Sequence, residues 1–152
     1  MYRSTQLARR LAARPLARRC ARPYSQLNSV TEADLAHFAQ ILPPSAILST
    51  LTSSATAADL ETYNNDWMNK YHGRSTTVLR PRTTQEVSAI VRHCNARRIG
   101  VVPQGGNTGL VGGSVPVTDE LVLSLGNMNS IRSFDDASGV CAGLYWIRAR
   151  GT

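Results

Sequence analysis

Five of the nine residues from Gly105 to Gly113 are glycine, a density that a single turn does not need. The backbone there must bend repeatedly or approach something closely. The flanking sequence narrows which fold could hold such a loop. Thr76-Thr77-Val78-Leu79 is a β-prone run stopped by Arg80-Pro81. Thr83 and Glu86 have the spacing of a capping box, and Val87, Ile90, Val91 and Cys94 fall at i, i+3, i+4 and i+7, which predicts a helix with one apolar face. Arg97 and Arg98 complement the helix C-terminus, and Gly100 can end it. Ile99, Val101 and Val102 start a second strand that runs into the glycine loop, and residues 121–125 (LVLSL) form a third. The order β-α-β-loop-β predicts an α/β (α+β) layer architecture.

Upstream, Thr31-Glu32-Ala33-Asp34 offers an N-cap with acids in the first turn, followed by Leu35, Phe38, Ile41 and Leu42 at helical spacing up to Pro43-Pro44. Residues 49–58 (STLTSSATAA) read as a polar linker, and 59–70 (DLETYNNDWMNK) as an aromatic-bearing segment without an assigned structure. The 152 residues leave room for one small domain. No apolar run approaches 18 residues, so no membrane span is expected.

The net charge of +7 is unevenly placed. Residues 1–24 hold seven arginines and no acid, whereas the remainder carries ten basic and ten acidic residues. A leader of Arg, Ala, Leu and Ser without Asp or Glu has the composition of a mitochondrial transit peptide, with the import machinery as its partner. Arg9, Arg14 and Arg18 interrupt any secretory apolar core, and Arg22-Pro23-Tyr24-Ser25 resembles a matrix processing site that would make Ser25 the first mature residue. Nucleic-acid binding loses its support once the leader is removed, because no excess charge is left to release counterions.

The loop itself has a restricted chemistry. Glycine reaches positive φ, so successive N–H groups can converge on an anion without a charged side chain. Between Arg98 and Arg132 there is no Lys or Arg, so any phosphate held here must be held by main-chain N–H groups and by Asn107, Thr108 or Ser114. A Walker A loop is excluded because the chain's one lysine is Lys70, and a dinucleotide fingerprint because Gly106, Gly109 and Gly112 are three apart, not two. The hydrolase elbow fails at Pro116, which stands where its last glycine belongs. Residue chemistry alone leaves two readings open, an anion-binding loop and a multi-turn structural loop. His37, His72 and His93 lack ligand spacing, and Cys20, Cys94 and Cys141 form no CxxC pair, so no metal site is expected. Asp119-Glu120 reads as a solvated turn and Trp67 as a packing residue.

The string Val101-Val102-Pro103-Gln104-Gly105-Gly106-Asn107-Thr108-Gly109-Leu110-Val111-Gly112-Gly113-Ser114-Val115-Pro116, with Val78 to Pro81 and the predicted helix before it and Leu123 to Leu125 and Met128-Asn129 after it, closely resembles the FAD-binding domain of the vanillyl-alcohol-oxidase type, also called PCMH-type. The branch it is most similar to holds the mitochondrial D-2-hydroxyglutarate and D-lactate dehydrogenases. Tyr63-Asn64-Asn65-Asp66-Trp67 resembles that branch too, so the likeness covers residues 60–138. The resemblance implies FAD with its pyrophosphate against the loop. Gly105, Gly106, Asn107 and Thr108 would contact it, and Gly112, Gly113 and Ser114 would complete a cradle that also includes Pro103, Gln104 and Gly109. Some relatives tether FAD through a histidine after the paired glycines; Asn107 stands there, so noncovalent FAD is expected.

The resemblance divides the chain into a transit peptide (1–24), a helical N-terminal extension and linker (25–71), the first part of a PCMH-type FAD-binding domain (72–140) and a tail without family likeness (141–152). The rest of the flavin domain and a metal-bearing substrate domain are expected beyond the residues present. This reads as a truncated gene product, and the 2-hydroxy-acid substrate would be met only in a full-length parent. A polypeptide of residues 25–152 is therefore not expected to oxidise D-2-hydroxyglutarate or D-lactate; dye-coupled turnover by the purified polypeptide would contradict that. The competing expectation is a noncatalytic α/β binding or interaction module.

Overall fold

A computed structural model describes residues 27–143. The leader with its processing motif, Cys20 and residues 144–152 lie outside the described residues. In chain order the elements are α1 (Glu32–Phe38), a 3-10 turn (Pro44–Ala46), β1 (Ile47–Ser49), α2 (Ala57–Asn64), β2 (Thr77–Leu79), α3 (Thr84–Arg97), β3 (Val101–Gln104), β4 (Leu121–Ser124), β5 (Ile131–Asp135) and β6 (Val140–Gly143). The first four strands form one sheet in the order β1-β2-β4-β3. β2, β4 and β3 are parallel, and β1 runs antiparallel to β2. β4 thus lies between the two strands that α3 connects, while β5 and β6 pair as a separate hairpin.

Side chains alternate across the sheet because a strand's period is two. Ile47, Leu79, Leu121 and Leu123 bury against Leu35 and Phe38 of α1 and Ile90 and Cys94 of α3. Val78 and Val122 bury with Leu60 of α2 on the other face. Helices therefore cover both faces in three layers. All four residues of β4 are buried, which is why that strand reads as an apolar run in the sequence.

Four local expectations need correction. Residues 49–58 are not a linker, since Ser49 closes β1 and Thr56 caps α2 through a capping box with Asp59. The polar side chains are consumed locally: the Ser49 N–H donates to Ser54 Oγ at 2.9 Å. α1 ends at Phe38, before Pro43-Pro44, yet Leu42 still reaches the core through a turn closed by its N–H on the Phe38 carbonyl at 2.8 Å. Val91 is 44 % exposed, so the apolar stripe of α3 narrows to Val87, Ile90 and Cys94. The left-handed residue ending α3 is Arg98, at φ 56, and not Gly100. Gly100 is required for a different reason, because a Cβ there would lie 2.6 Å from Glu120 Cγ.

One buried carboxylate ties α1 to α3. Asp34 Oδ1 accepts from His93 Nε2 at 2.9 Å and Arg97 Nε at 3.0 Å, while Oδ2 accepts from the Thr31 N–H and hydroxyl at the helix cap. The His93 ring stacks on His37 with centroids 4.1 Å apart and meets Phe38 edge-on. Burial opposes ionisation of Asp34, but the hydrogen bonds from Thr31, Arg97 and His93 outweigh it and hold the carboxyl well below its ordinary range. Cys94, buried and free, is pushed up to about 11 by desolvation first and by the Asp34 charge second.

Candidate functional site

The glycine loop leaves β3 at Gln104 and returns to β4 at Leu121. Its two ends are held by buried amide chemistry. Gln104, 2 % exposed, donates through Nε2 to the carbonyls of Tyr63 and Ser114, each at 2.9 Å. One side chain thereby joins the loop's start, its end and α2. Asn107 adds a second clasp, with Nδ2 donating to the carbonyls of Asn65 (2.6 Å) and Thr62 (3.3 Å) while Oδ1 accepts the Ser114 hydroxyl at 2.7 Å. The open carbonyls at the C-terminal end of α2 need such donors. Asn107 is itself left-handed, at φ 55, a conformation that asparagine tolerates better than most residues.

Between these clasps the backbone is free to donate. From Gly106 to Ser114 no main-chain N–H is paired with an acceptor among the described residues. Gly112 turns at φ 71 with the Tyr71 ring packed against it, so that a Cβ would sit 2.7 Å from Cγ of the ring. Gly113 faces open space, with nothing within 4 Å of a Cβ built there. Gly106, Thr108 and Gly109 are exposed, as is Pro103 at the end of β3. An exposed run of unpaired donors without a local cation can take an anion through N–H groups alone. The side chains of Gln104, Asn107 and Ser114 are spent on holding the loop's shape, which leaves the main-chain N–H groups of Asn107 and Ser114 to face a ligand.

The segment that sequence reading left without structure supports this loop. Asp66, 4 % exposed, accepts N–H bonds from Lys70 (2.6 Å), Tyr71 (2.8 Å) and Met68 (3.4 Å). Those bonds, with Tyr71 first, lower its carboxyl below the ordinary value. Asn64 and Ser75 exchange two hydrogen bonds, at 3.0 and 2.9 Å, which close the turn onto β2. A signal for α2 was present: Thr56 and Asp59 repeat the spacing of Thr83 and Glu86. Two simpler readings are overturned. Trp67 is not packed but 70 % exposed, because the Asp66 turn points it away from the core. Glu120 is not solvated but 4 % exposed, accepting the Thr118 N–H at 2.7 Å.

Residues 75–144 match the model of the FAD binding domain family. The chain is similar to mitochondrial D-2-hydroxyglutarate dehydrogenases of Arabidopsis thaliana, with 50% identity over 74% of this chain and 19% of the relative, and of Danio rerio, with 44% identity over 91% and 25%. It is also similar to the D-2-hydroxyglutarate–pyruvate transhydrogenase of Saccharomyces cerevisiae, at 46% identity over 84% of this chain and 26% of that protein. The chain spans between a fifth and a quarter or so of the length of these relatives. Among solved structures the fold is shared with alkyldihydroxyacetonephosphate synthase, at a TM-score of 0.56 and 14% identity over 74% of this chain and 22% of that one. It is shared as well with p-cresol methylhydroxylase, at a TM-score of 0.53 and 24% identity over 70% and 21%. The matched stretch takes in β2, α3, β3, β4, the β5–β6 hairpin and the whole glycine loop, whereas α1, β1 and α2 lie before it.

Proposed function

We propose that this chain is the FAD-binding segment of a mitochondrial oxidoreductase acting on D-2-hydroxy acids, with D-2-hydroxyglutarate or D-lactate as substrate. The observation that carries it is the run of unpaired main-chain donors from Gly106 to Ser114 inside the stretch matched to the FAD binding domain. In this reading the N–H groups of Gly105, Gly106, Asn107, Thr108 and Gly109 hold the pyrophosphate, with those of Gly112, Gly113 and Ser114 completing the cradle. Pro103 and Gln104 set the strand end from which the loop departs. The names of the relatives support the substrate class and the mitochondrial address. When bound, FAD would supply the two-electron acceptor for oxidation of the hydroxyl carbon. The residues of this chain would contribute binding and orientation, not proton transfer.

The domain reading follows the same outline: residues 1–24 as leader, 25–71 as an extension whose β1 and α2 brace the sheet and the loop, 72–140 as the flavin-binding portion and 141–152 as a tail. FAD is held without a covalent bond, since Asn107 cannot form the tether that an imidazole would and its amide is engaged by Thr62, Asn65 and Ser114. Equilibrium dialysis of the full chain against FAD checks both points. Saturable binding is expected, with all flavin released into the supernatant after acid precipitation. Absence of saturation would remove the FAD reading, and flavin retained in the pellet would remove the noncovalent one.

A further inference from the structure

Resting on the FAD reading of the loop, we propose that Trp67 is a stacking platform for one of the two planar rings of the dinucleotide. A tryptophan 70 % exposed forgoes the burial that makes large aromatics stabilising. It does not stand on a loose tip, because the three N–H bonds accepted by Asp66 close the turn that carries it. The same turn is joined to the glycine loop by the Asn107 amide on the Asn65 carbonyl. Indole and loop therefore form one preorganised unit.

They also share one cleft. A cavity of about 430 Å³ is lined by Trp67, Gly106 and Asn107 together with Glu61, Thr62 and Asn65 of the α2 end. No lysine or arginine lines it, whereas the acidic residues Glu61 and Asp66 do, so the cleft disfavours phosphate in its interior. What it accepts is a neutral group with hydroxyl donors and a flat face. A phosphate on the loop's N–H groups, followed by a sugar and a ring in the cleft, satisfies both halves of that electrostatic division. Adenine and isoalloxazine each present such a ring, and stacking on an aromatic side chain tolerates either.

Affinity for FAD, measured by equilibrium dialysis on the full chain, tests the platform. Trp67→Ala is expected to weaken FAD binding about tenfold, which is about 1.4 kcal/mol, and Trp67→Phe to recover most of the loss. The melting temperature should stay unchanged in both variants, because the indole lies outside the core. Competition by ADP and by FMN against wild type and Trp67→Ala identifies the ring: the competitor whose potency falls with the indole is the half that stacks. If wild type binds FAD and Trp67→Ala binds it equally well, the platform is wrong while the loop reading stands. If wild type binds no FAD, both are wrong.

Discussion

Replacing Asp34 with alanine destabilises the folded chain by about 3 kcal/mol, because a buried carboxylate is removed from partners that stay behind. The Arg97 side chain is 48% exposed and can return to water, which moderates the loss. His93, 17% exposed and stacked on His37, cannot do so without breaking the contact between α1 and α3. The Thr31 cap loses its partner as well, and a lost cap costs about 1 kcal/mol within that total. The effect depends on pH with a definite sign. Asp34 titrates lower when folded than when unfolded, so its contribution is fully present above the ordinary carboxylate value near 4 and declines as the pH falls below it. The groups facing it are His93, Arg97, Cys94 and, through the ring stack, His37. Urea melts at pH 7 and pH 3 provide the measurement: the gap between wild type and Asp34→Ala should be wide at the first and narrower at the second. An equal gap at both values would contradict the role assigned to the ionised carboxylate.

Gly112→Ala should cost about 2–3 kcal/mol and disable the loop, since a methyl group there meets two penalties at once. The first is the left-handed backbone at φ 71, and the second is the Tyr71 ring 2.7 Å from the new atom. Rotating the ring about its own axis does not relieve the contact, because the nearest atom is Cγ, and the backbone that carries it is held by the Tyr71 N–H on Asp66 at 2.8 Å. FAD affinity should fall at least tenfold as the donors between Thr108 and Ser114 are displaced. Gly113→Ala is the matched comparison. With nothing within 4 Å of its Cβ position, it should change stability by less than about 0.5 kcal/mol. Loss of FAD binding in Gly113→Ala without loss of stability would locate the ligand against that residue. Thermal melts beside equilibrium dialysis separate the two quantities, and a Gly112→Ala variant of wild-type stability and affinity would mean that the Tyr71 contact does not shape the loop.

Much of the architecture was legible from residues near one another in the chain. The α3 cap at Thr83 and Glu86, the β-prone runs that became β2, β3 and β4, and the glycine density between them are local signals, and each became an element close to its expected bounds. α2 was missed although its capping box at Thr56 and Asp59 is equally local. The segment carries only one fully buried apolar residue, Leu60, so it lacks the periodic stripe by which helices are recognised. β1 was missed because three residues are too few to show alternation.

The sequence by itself determined that a cation-free glycine loop follows a β-α-β unit, because spacing and composition are one-dimensional properties, while FAD entered through the resemblance of that string to a known family. It could not decide what each polar side chain does. Gln104, Asn107 and Ser114 look like ligand contacts when read in order, yet folding turns them toward Tyr63, Thr62, Asn65 and each other. Trp67 looks like core, and Asp66 turns it into the solvent beside the same loop. Both outcomes rest on hydrogen bonds between the end of α2, the turn after it and a loop some forty residues further along. A carbonyl at a helix end is satisfied by whatever donor the fold brings to it, and only the tertiary structure shows which one arrives.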